Sequence, residues 1–261
     1  MIVTTYRIPY KLGQTVKIKP IFDVHLGSSY CDVSAFKKYL VDSDPDTYFL
    51  GGGDLLDSII IGDKRYEKHA DSTTGAIVDD QVALACEYLR PYAKKIIGLG
   101  RGNHEDVIIR NCGTDPINSV CTNLGVPYLG YSGFVKLILS ESNKSRSRTV
   151  VIKWHHGWGG GSRTQGADIT KFAKDTAYWD ADLFLYGHTH KLQWDVTQRL
   201  GLSGEKLIAR PKLFAICGTF LKTFSNTTDA TYSERAGYPP TTIGGLTVNI
   251  KPTQNWVDMW I

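Results

Sequence analysis

The stretch that decides the reading is KKIIGLGRGNHED, residues 94–106. Its first half is a short apolar run ending in glycines, the pattern of a buried strand that meets a turn. Its second half packs an amide (Asn103), an imidazole (His104) and two carboxylates (Glu105 and Asp106) into consecutive positions. Ligands of α/β sheets bind in the crevice outside the carboxyl ends of the strands, so reactive groups at a strand end point to a site.

Working outward, the same pattern recurs. TYFLGGGDLLD (47–57) is a short apolar strand that ends in three glycines before Asp54 and Asp57, and a β-rich run over 16–22 leads into Asp23 and His25. Between these strands, VSAFKKYL (33–40) has helical spacing behind Asp32 as N-cap. TTGAIVDDQVALACEYLRPYAKK (73–95) predicts a long amphipathic helix. Asp115 followed by Pro116 marks another helix start.

The second half changes character. GFVKLILSESNKSRSRTVVIKWHH (133–156) predicts a β-hairpin whose basic tip, 143–148, is a solvated turn. A short strand is expected over 182–186, and KLIARPKLFAICGTF (206–220) and GGLTVNIKP (244–252) continue the β-rich pattern. An α/β first half followed by a β-rich second half predicts two facing mixed β-sheets flanked by α-helices, a four-layer sandwich. At 261 residues the chain is expected to be a single domain, 1–261.

Composition narrows the field. A net charge of +4 does not by itself argue for nucleic acid or a membrane. The five cysteines are scattered and show no CxxC spacing, which fits a reduced, cytoplasmic protein. The N-terminal segment is polar and no run reaches the length of a membrane span, so neither a removed leader nor a membrane partner is expected.

Five glycine-flanked clusters fall at predicted strand ends: FDVHLG, GGGDLLD, GRGNHED, KWHHG and YGHTH. They supply Asp23, His25, Asp54, Asn103, His156, His188 and His190: carboxylate, amide and imidazole, with no thiolate. Such a mixed N/O set suits Mn, Fe, Zn, Co or Ni, and does not resemble a structural cysteine zinc site. Seven ligands exceed the need of one ion, and two ions sharing a bridging Asp would use them all. His155 and His156 alternate faces if both lie on a strand, so one of them reaches the metals; His156, next to the glycine, is the expected ligand.

DxH (Asp23, His25), GDxxD (Asp54, Asp57), GNHE (Asn103, His104, Glu105), HG (His156) and GHxH (His188, His190), in this order, resemble the calcineurin-like metallophosphoesterases. That resemblance implies two divalent metal ions, manganese first among the candidates. Asp23, His25 and His190 would hold one ion, Asn103, His156 and His188 the other, and Asp54 would bridge them. It also implies that His104 protonates the leaving oxygen or stabilises charge on the phosphoryl group, with Asp57 orienting it. The implied reaction is hydrolysis of a phosphodiester or phosphomonoester by in-line attack of a hydroxide held between ions about 3.5–4 Å apart.

The chain departs from two branches of this superfamily. Ser58 stands where phosphoprotein phosphatases carry arginine, and no room remains after residue 190 for the long capping domain and helical tail of a double-strand-break repair nuclease. Arg101 either contacts substrate or makes a surface salt bridge. The glycine-rich loop 158–165 is expected to be a flap that brings Arg163 to substrate phosphate, or else a plain surface loop. The polar stretch 58–74 is long for a βα connection and is a candidate wall of the substrate groove, while its His69 is expected to be solvated. Two rival functions are carried forward. A nuclease on DNA or RNA would use Lys64, Arg65, Arg101 and Arg163 along the backbone. A non-enzymatic scaffold sits poorly with a full set of seven ligand positions and His104.

Overall fold

The computed structural model describes residues 1–41, 44–73, 75–142, 146–226, 229–252 and 257–261. Residues 143–145 of the basic tip, Thr74 of the 58–74 stretch and the side chain of His69 lie outside that description.

One sheet follows the order β13-β12-β2-β3-β4-β5. Its strands β2 (Val16–Ile21), β3 (Thr47–Gly52), β4 (Ile96–Gly100) and β5 (Tyr128–Gly130) run parallel. Strands β12 (Val248–Pro252) and β13 (Val257–Trp260) close it antiparallel. The other sheet runs β1 (Ile2–Tyr10), β6 (Ser132–Glu141), β7 (Ser147–His155), β8 (Leu183–Tyr186), β10 (Lys206–Thr219) and β11 (Gly244–Gly245), with β9 (Leu192–Ser203) paired to β10.

Side-chain alternation explains why the two sheets face each other. In β8, Leu183 and Leu185 point into the core between the sheets, where they meet Leu50, Ile97 and Trp154. Phe184 and Tyr186 point the other way, onto Phe172 of helix α5 (Ala167–Ala173). In β3, Leu50 is in the core between the sheets, while its neighbour Phe49 lies under the outer helices with Phe36, Leu89 and Val120. Those residues come from α1 (Val33–Val41), α2 (Ile77–Leu89) and α4 (Pro116–Leu124). A strand apolar on both faces needs cover on both. The result is the four-layer α/β sandwich, helices outside and two mixed sheets inside.

Local chemistry sets the helix ends. Asp32 accepts from the Ala35 amide at 3.0 Å, and Asp115 accepts from the Asn118 amide at 3.0 Å with Pro116 in the first turn. The predicted helix 73–95 is shorter than expected: α2 stops at Leu89 and a tighter 3-10 turn carries Arg90–Lys95. Pro91 is the reason, since it has no N–H to donate and its ring clashes inside an α-helix.

The two sheets do not divide the chain into halves as the sequence suggested. The N-terminal segment forms β1, parallel to β6, because Ile8 and Tyr10 alternate into the core between the sheets. The C-terminal strands return to the first sheet, where Val248 and Ile250 complete the same core. No helix among the described residues is long and apolar enough to cross a membrane.

Candidate metal centre

All five motifs lie at one end of the sandwich, so both sheets build the site. Asp23 and His25 follow β2, Asp54 follows β3, and Asn103 opens helix α3 (Asn103–Cys112) just beyond β4. From the other sheet come His156, after β7, and His188 and His190, after β8.

The turns that carry these groups are unusual. Asp23, His25, Asp54, His188 and His190 all have positive φ, between 49° and 70°; among the described non-glycine residues, Ser58 is the one other case. Left-handed backbone disfavours a Cβ, so each position costs energy that its surroundings must supply. Part of that supply is a backbone lattice between the first two turns. Asp23 N donates to Gly53 O at 3.1 Å, and Val24 N and His25 N both donate to Asp54 O at 2.8 and 3.0 Å. The carboxylate of Asp23 accepts from the His188 amide, at 2.8 Å to Oδ2, and Asp54 Oδ1 accepts from the His104 amide at 3.0 Å.

The glycine run before Asp54 is tight packing, not a loose turn. A Cβ on Gly52 would overlap the Phe22 ring at 1.8 Å, and one on Gly53 would meet Gly102 N at 2.5 Å. Gly102 is as constrained, since its Cβ would fall 2.1 Å from Asp54 Oδ1.

Three groups of donors result. Asp23, His25 and His190 bring their donor atoms within 4.8 Å of one another, as do Asp54, His156 and His188, and His25 forms a further such group with Asp57 and His104. In the first, His25 Nε2 lies 3.2 Å from His190 Nε2, and His190 Nε2 lies 3.4 Å from Asp23 Oδ1. In the second, His156 Nε2 is 3.1 Å from Asp54 Oδ2, and Asn103 Oδ1 sits 2.9 Å from His156 Nε2 and 2.8 Å from His188 Nδ1. Asp54 Oδ2 also lies 4.0 Å from His25 Nε2, which places it between the groups.

The remaining ring nitrogens fix which lone pairs face inward. His25 Nδ1 donates to Asp57 Oδ1 at 3.2 Å, His156 Nδ1 to Gly52 O at 3.2 Å, and His188 Nε2 to Gly159 O at 2.8 Å. In the neutral ring, each of these bonds leaves the other nitrogen as a lone pair turned toward its neighbours, the arrangement by which metal-binding histidines are oriented. With that tautomer, His188 Nδ1 and Asn103 Oδ1 face each other as two acceptors, a contact that a cation relieves. The donor set fits divalent metal ions.

Electrostatics agrees. Burial opposes charge on Asp54, yet His156, His104 and His25 outweigh it and hold the carboxyl well below its usual range. Burial also works against His156, but Asp54 and Asp23 lift it to about 9. The carboxylates draw positive charge into a pocket where Asp23, Asp54, His25 and His156 are all at most 1% exposed. Glu105, pushed up to about 7 by burial and then by Asp54, lies beneath them.

The chain matches the family model for calcineurin-like phosphoesterase over residues 23–192. The chain belongs to that family. No curated protein sequence matches it. Among solved structures, Vacuolar Protein Sorting 29 from Cryptosporidium parvum is 15% identical, with 94% of this chain and 96% of that one covered at a TM-score of 0.39. Vps29 complexed with Zn²⁺ from Entamoeba histolytica is 12% identical, with 95% and 97% covered at a TM-score of 0.37.

The remaining expected residues divide. His156 joins the cluster, whereas His155 turns away, accepting from Gly157 N at 2.9 Å and meeting Tyr131 and Trp158 edge-on. His104 lines the cleft above the ligands, its Nδ1 2.5 Å from the backbone carbonyl of Asp57. The Asp57 carboxylate is 4.0 Å from that nitrogen and goes to His25 instead, so Asp57 orients His104 through its main chain rather than its side chain. Arg101 and Arg163 are not brought to the cluster. Arg101 is taken up by Asp106 at 3.2 Å, Asp115 at 3.4 Å and the Tyr128 hydroxyl, the surface-network alternative. Arg163 donates to Ala236 O at 2.7 Å and Gly237 O at 3.2 Å, because helix α7 (Tyr232–Ala236) leaves carbonyls unpaired at its end. The flap does reach the site, by way of Gly159 O on His188.

Sequence reasoning gave no role to Glu105, which accepts the amides of Gly102, Asp54 and Leu56 at 2.8, 3.0 and 2.9 Å. The signal was present: an acid three residues after a helix N-cap is half of a capping box. It also missed the C-terminal wall. The cleft encloses about 690 Å³, and Thr223, Tyr232, Arg235 and Tyr238 line it opposite Ile59, Lys64 and Arg65.

Proposed function

We propose that the chain, as a single domain over 1–261, is a metal-dependent phosphoester hydrolase that acts in a reducing, cytoplasmic compartment. Its five cysteines are unpaired, which fits that setting. The observation that carries the activity is the pair of ligand groups, Asp23, His25 and His190 beside Asp54, His156 and His188, with Asp54 4.0 Å from His25 and His104 lining the cleft above them. Asp23, His25 and His190 would hold one divalent ion, and Asn103, His156 and His188 the other. Manganese is the first candidate for a nitrogen–oxygen donor set without thiolate, with Fe, Zn, Co and Ni also suited. When bound, such ions supply Lewis-acid stabilisation of charge at phosphorus and a nucleophile at neutral pH.

The chain's own residues do the rest. With Nδ1 tied to the Asp57 carbonyl, His104 exchanges protons with the ester through Nε2 alone, the atom that faces the cleft. Asp57 and the Gly52 and Gly159 carbonyls keep the ligand rings in one tautomer. The cleft of about 690 Å³ has room for the second substituent of a phosphodiester, so the reading extends to diesters as well as monoesters.

The deciding experiment is hydrolysis of bis(p-nitrophenyl) phosphate and of p-nitrophenyl phosphate by chelator-stripped protein, with each metal returned in turn. Metal-dependent cleavage is expected. Protein that binds two equivalents of metal and cleaves neither ester would instead favour the scaffold reading.

A further inference from the structure

Loop 58–74 holds an arginine in a setting that its local ion pair alone does not explain. Arg65 Nε and Nη2 grip the Asp63 carboxylate at 3.0 and 2.7 Å, and the Arg65 amide donates to the same carboxylate at 2.9 Å. This fork fixes the plane of the guanidinium and directs Nη1 inward, to 3.1 Å from His104 Nε2. Because His104 Nδ1 donates to the Asp57 carbonyl, Nε2 accepts this contact. Both Arg65 and His104 line the cleft, and the Asp54 and Asp57 carboxylates lie close enough to favour the charge on Arg65.

A charged donor resting on a neutral imidazole nitrogen is poorly matched. Hydrogen bonds from guanidinium to an anionic oxygen are shorter and roughly twice as strong as those between neutral groups. A phosphoryl oxygen entering above the ligands would therefore take Nη1, and in doing so would uncover His104 Nε2. Asp63 keeps the guanidinium in place throughout, so little side-chain entropy is lost on binding.

We propose that Arg65, held by Asp63, is the residue that binds the substrate's non-bridging phosphoryl oxygen, and that the resting Arg65–His104 contact is the one the substrate replaces. The inference rests on the phosphoesterase reading and names the recognised chemistry: a phosphoester anion, met by a preset guanidinium on loop 58–74 rather than by Arg101 or Arg163.

The test uses full-length, metal-loaded protein and its Arg65→Ala, Arg65→Lys and Asp63→Asn variants. Calorimetric binding of inorganic phosphate is measured beside initial rates on both nitrophenyl esters. Arg65→Ala is expected to weaken phosphate binding and raise KM by roughly tenfold or more, with metal content unchanged. Arg65→Lys should recover only part of this, since an ammonium cannot hold Asp63 and reach the phosphoryl oxygen as one planar fork. Added guanidinium ion should partly rescue Arg65→Ala, and Asp63→Asn should show an intermediate loss. Phosphate affinity and KM within about twofold of wild type in Arg65→Ala, with metal retained, would overturn the proposal. So would loss of metal in both Arg65 variants, which would make the residue structural. If wild-type protein binds phosphate through Arg65 but cleaves neither ester, the hydrolase reading fails and this one stands. If wild type cleaves both esters and Arg65→Ala is indifferent, this inference alone falls.

Discussion

The floor of the cleft and its walls are held by different means. Beneath the substrate space, Asp23, His25 and Asp54 are locked by main-chain hydrogen bonds between neighbouring strand ends, and Glu105 gathers three more amides under them. Around it, the walls hang on one another by side chains: Arg235 on Glu67, Arg163 on Ala236 and Gly237, Lys222 on Asp32. Exposed ion pairs contribute about 0–1 kcal/mol each, whereas stranding a buried amide costs about 1–3 kcal/mol. The floor is therefore rigid and the walls are replaceable. On the proposed reading, chemistry would reside in the first and the choice of substrate in the second.

Four substitutions would break or sharpen this contrast. Asp54→Asn strikes the carboxylate that lies between the two ligand groups and would bridge the ions on the proposed reading; metal content by elemental analysis and turnover should fall together below detection. Gly102→Ala adds a methyl 2.1 Å from Asp54 Oδ1 with no flexible neighbour to yield, and overpacking of this kind costs about 1–3 kcal/mol. Chemical denaturation should show that loss, accompanied by weaker metal binding. Glu105→Gln replaces one acceptor oxygen by an amide that faces backbone donors, so metal affinity measured by competition with a chelator should drop about tenfold to hundredfold. Arg163→Ala, at the wall, should leave kcat/KM within about twofold and unfolding within about 0.5 kcal/mol. A large effect there would show that the flap is part of the rigid floor after all.

The same contrast explains what could be read from sequence. Strand ends carrying Asp23, His25, Asp54, Asn103, His156, His188 and His190 announced themselves by glycines and by residue type, and the structure brings all seven together. Alternation between His155 and His156 separated the inward ring from the outward one. Contacts across the fold were not legible. Arg65 reaches His104 from thirty-nine positions away, and Arg163 finds its carbonyls seventy-three and seventy-four positions on, at Ala236 and Gly237. No local period encodes such distances. Which atom of Asp57 meets His104 was likewise not legible from residue type: the geometry offers its carbonyl to His104. In the fold, β1 was overlooked because its alternating Tyr6, Ile8 and Tyr10 are spaced by Arg7 and Pro9, which break up the apolar pattern.

The left-handed turns set stability and the candidate metal site at odds. His188 and His190 are half-buried residues with φ of 70° and 57°, conformations that glycine or asparagine adopts with less strain. Exchanging either for glycine should raise the melting temperature of the metal-free protein while removing a ligand. A laboratory selection for heat resistance alone, run without metal, would thus drift toward glycine at these turns and return hardier, inert proteins.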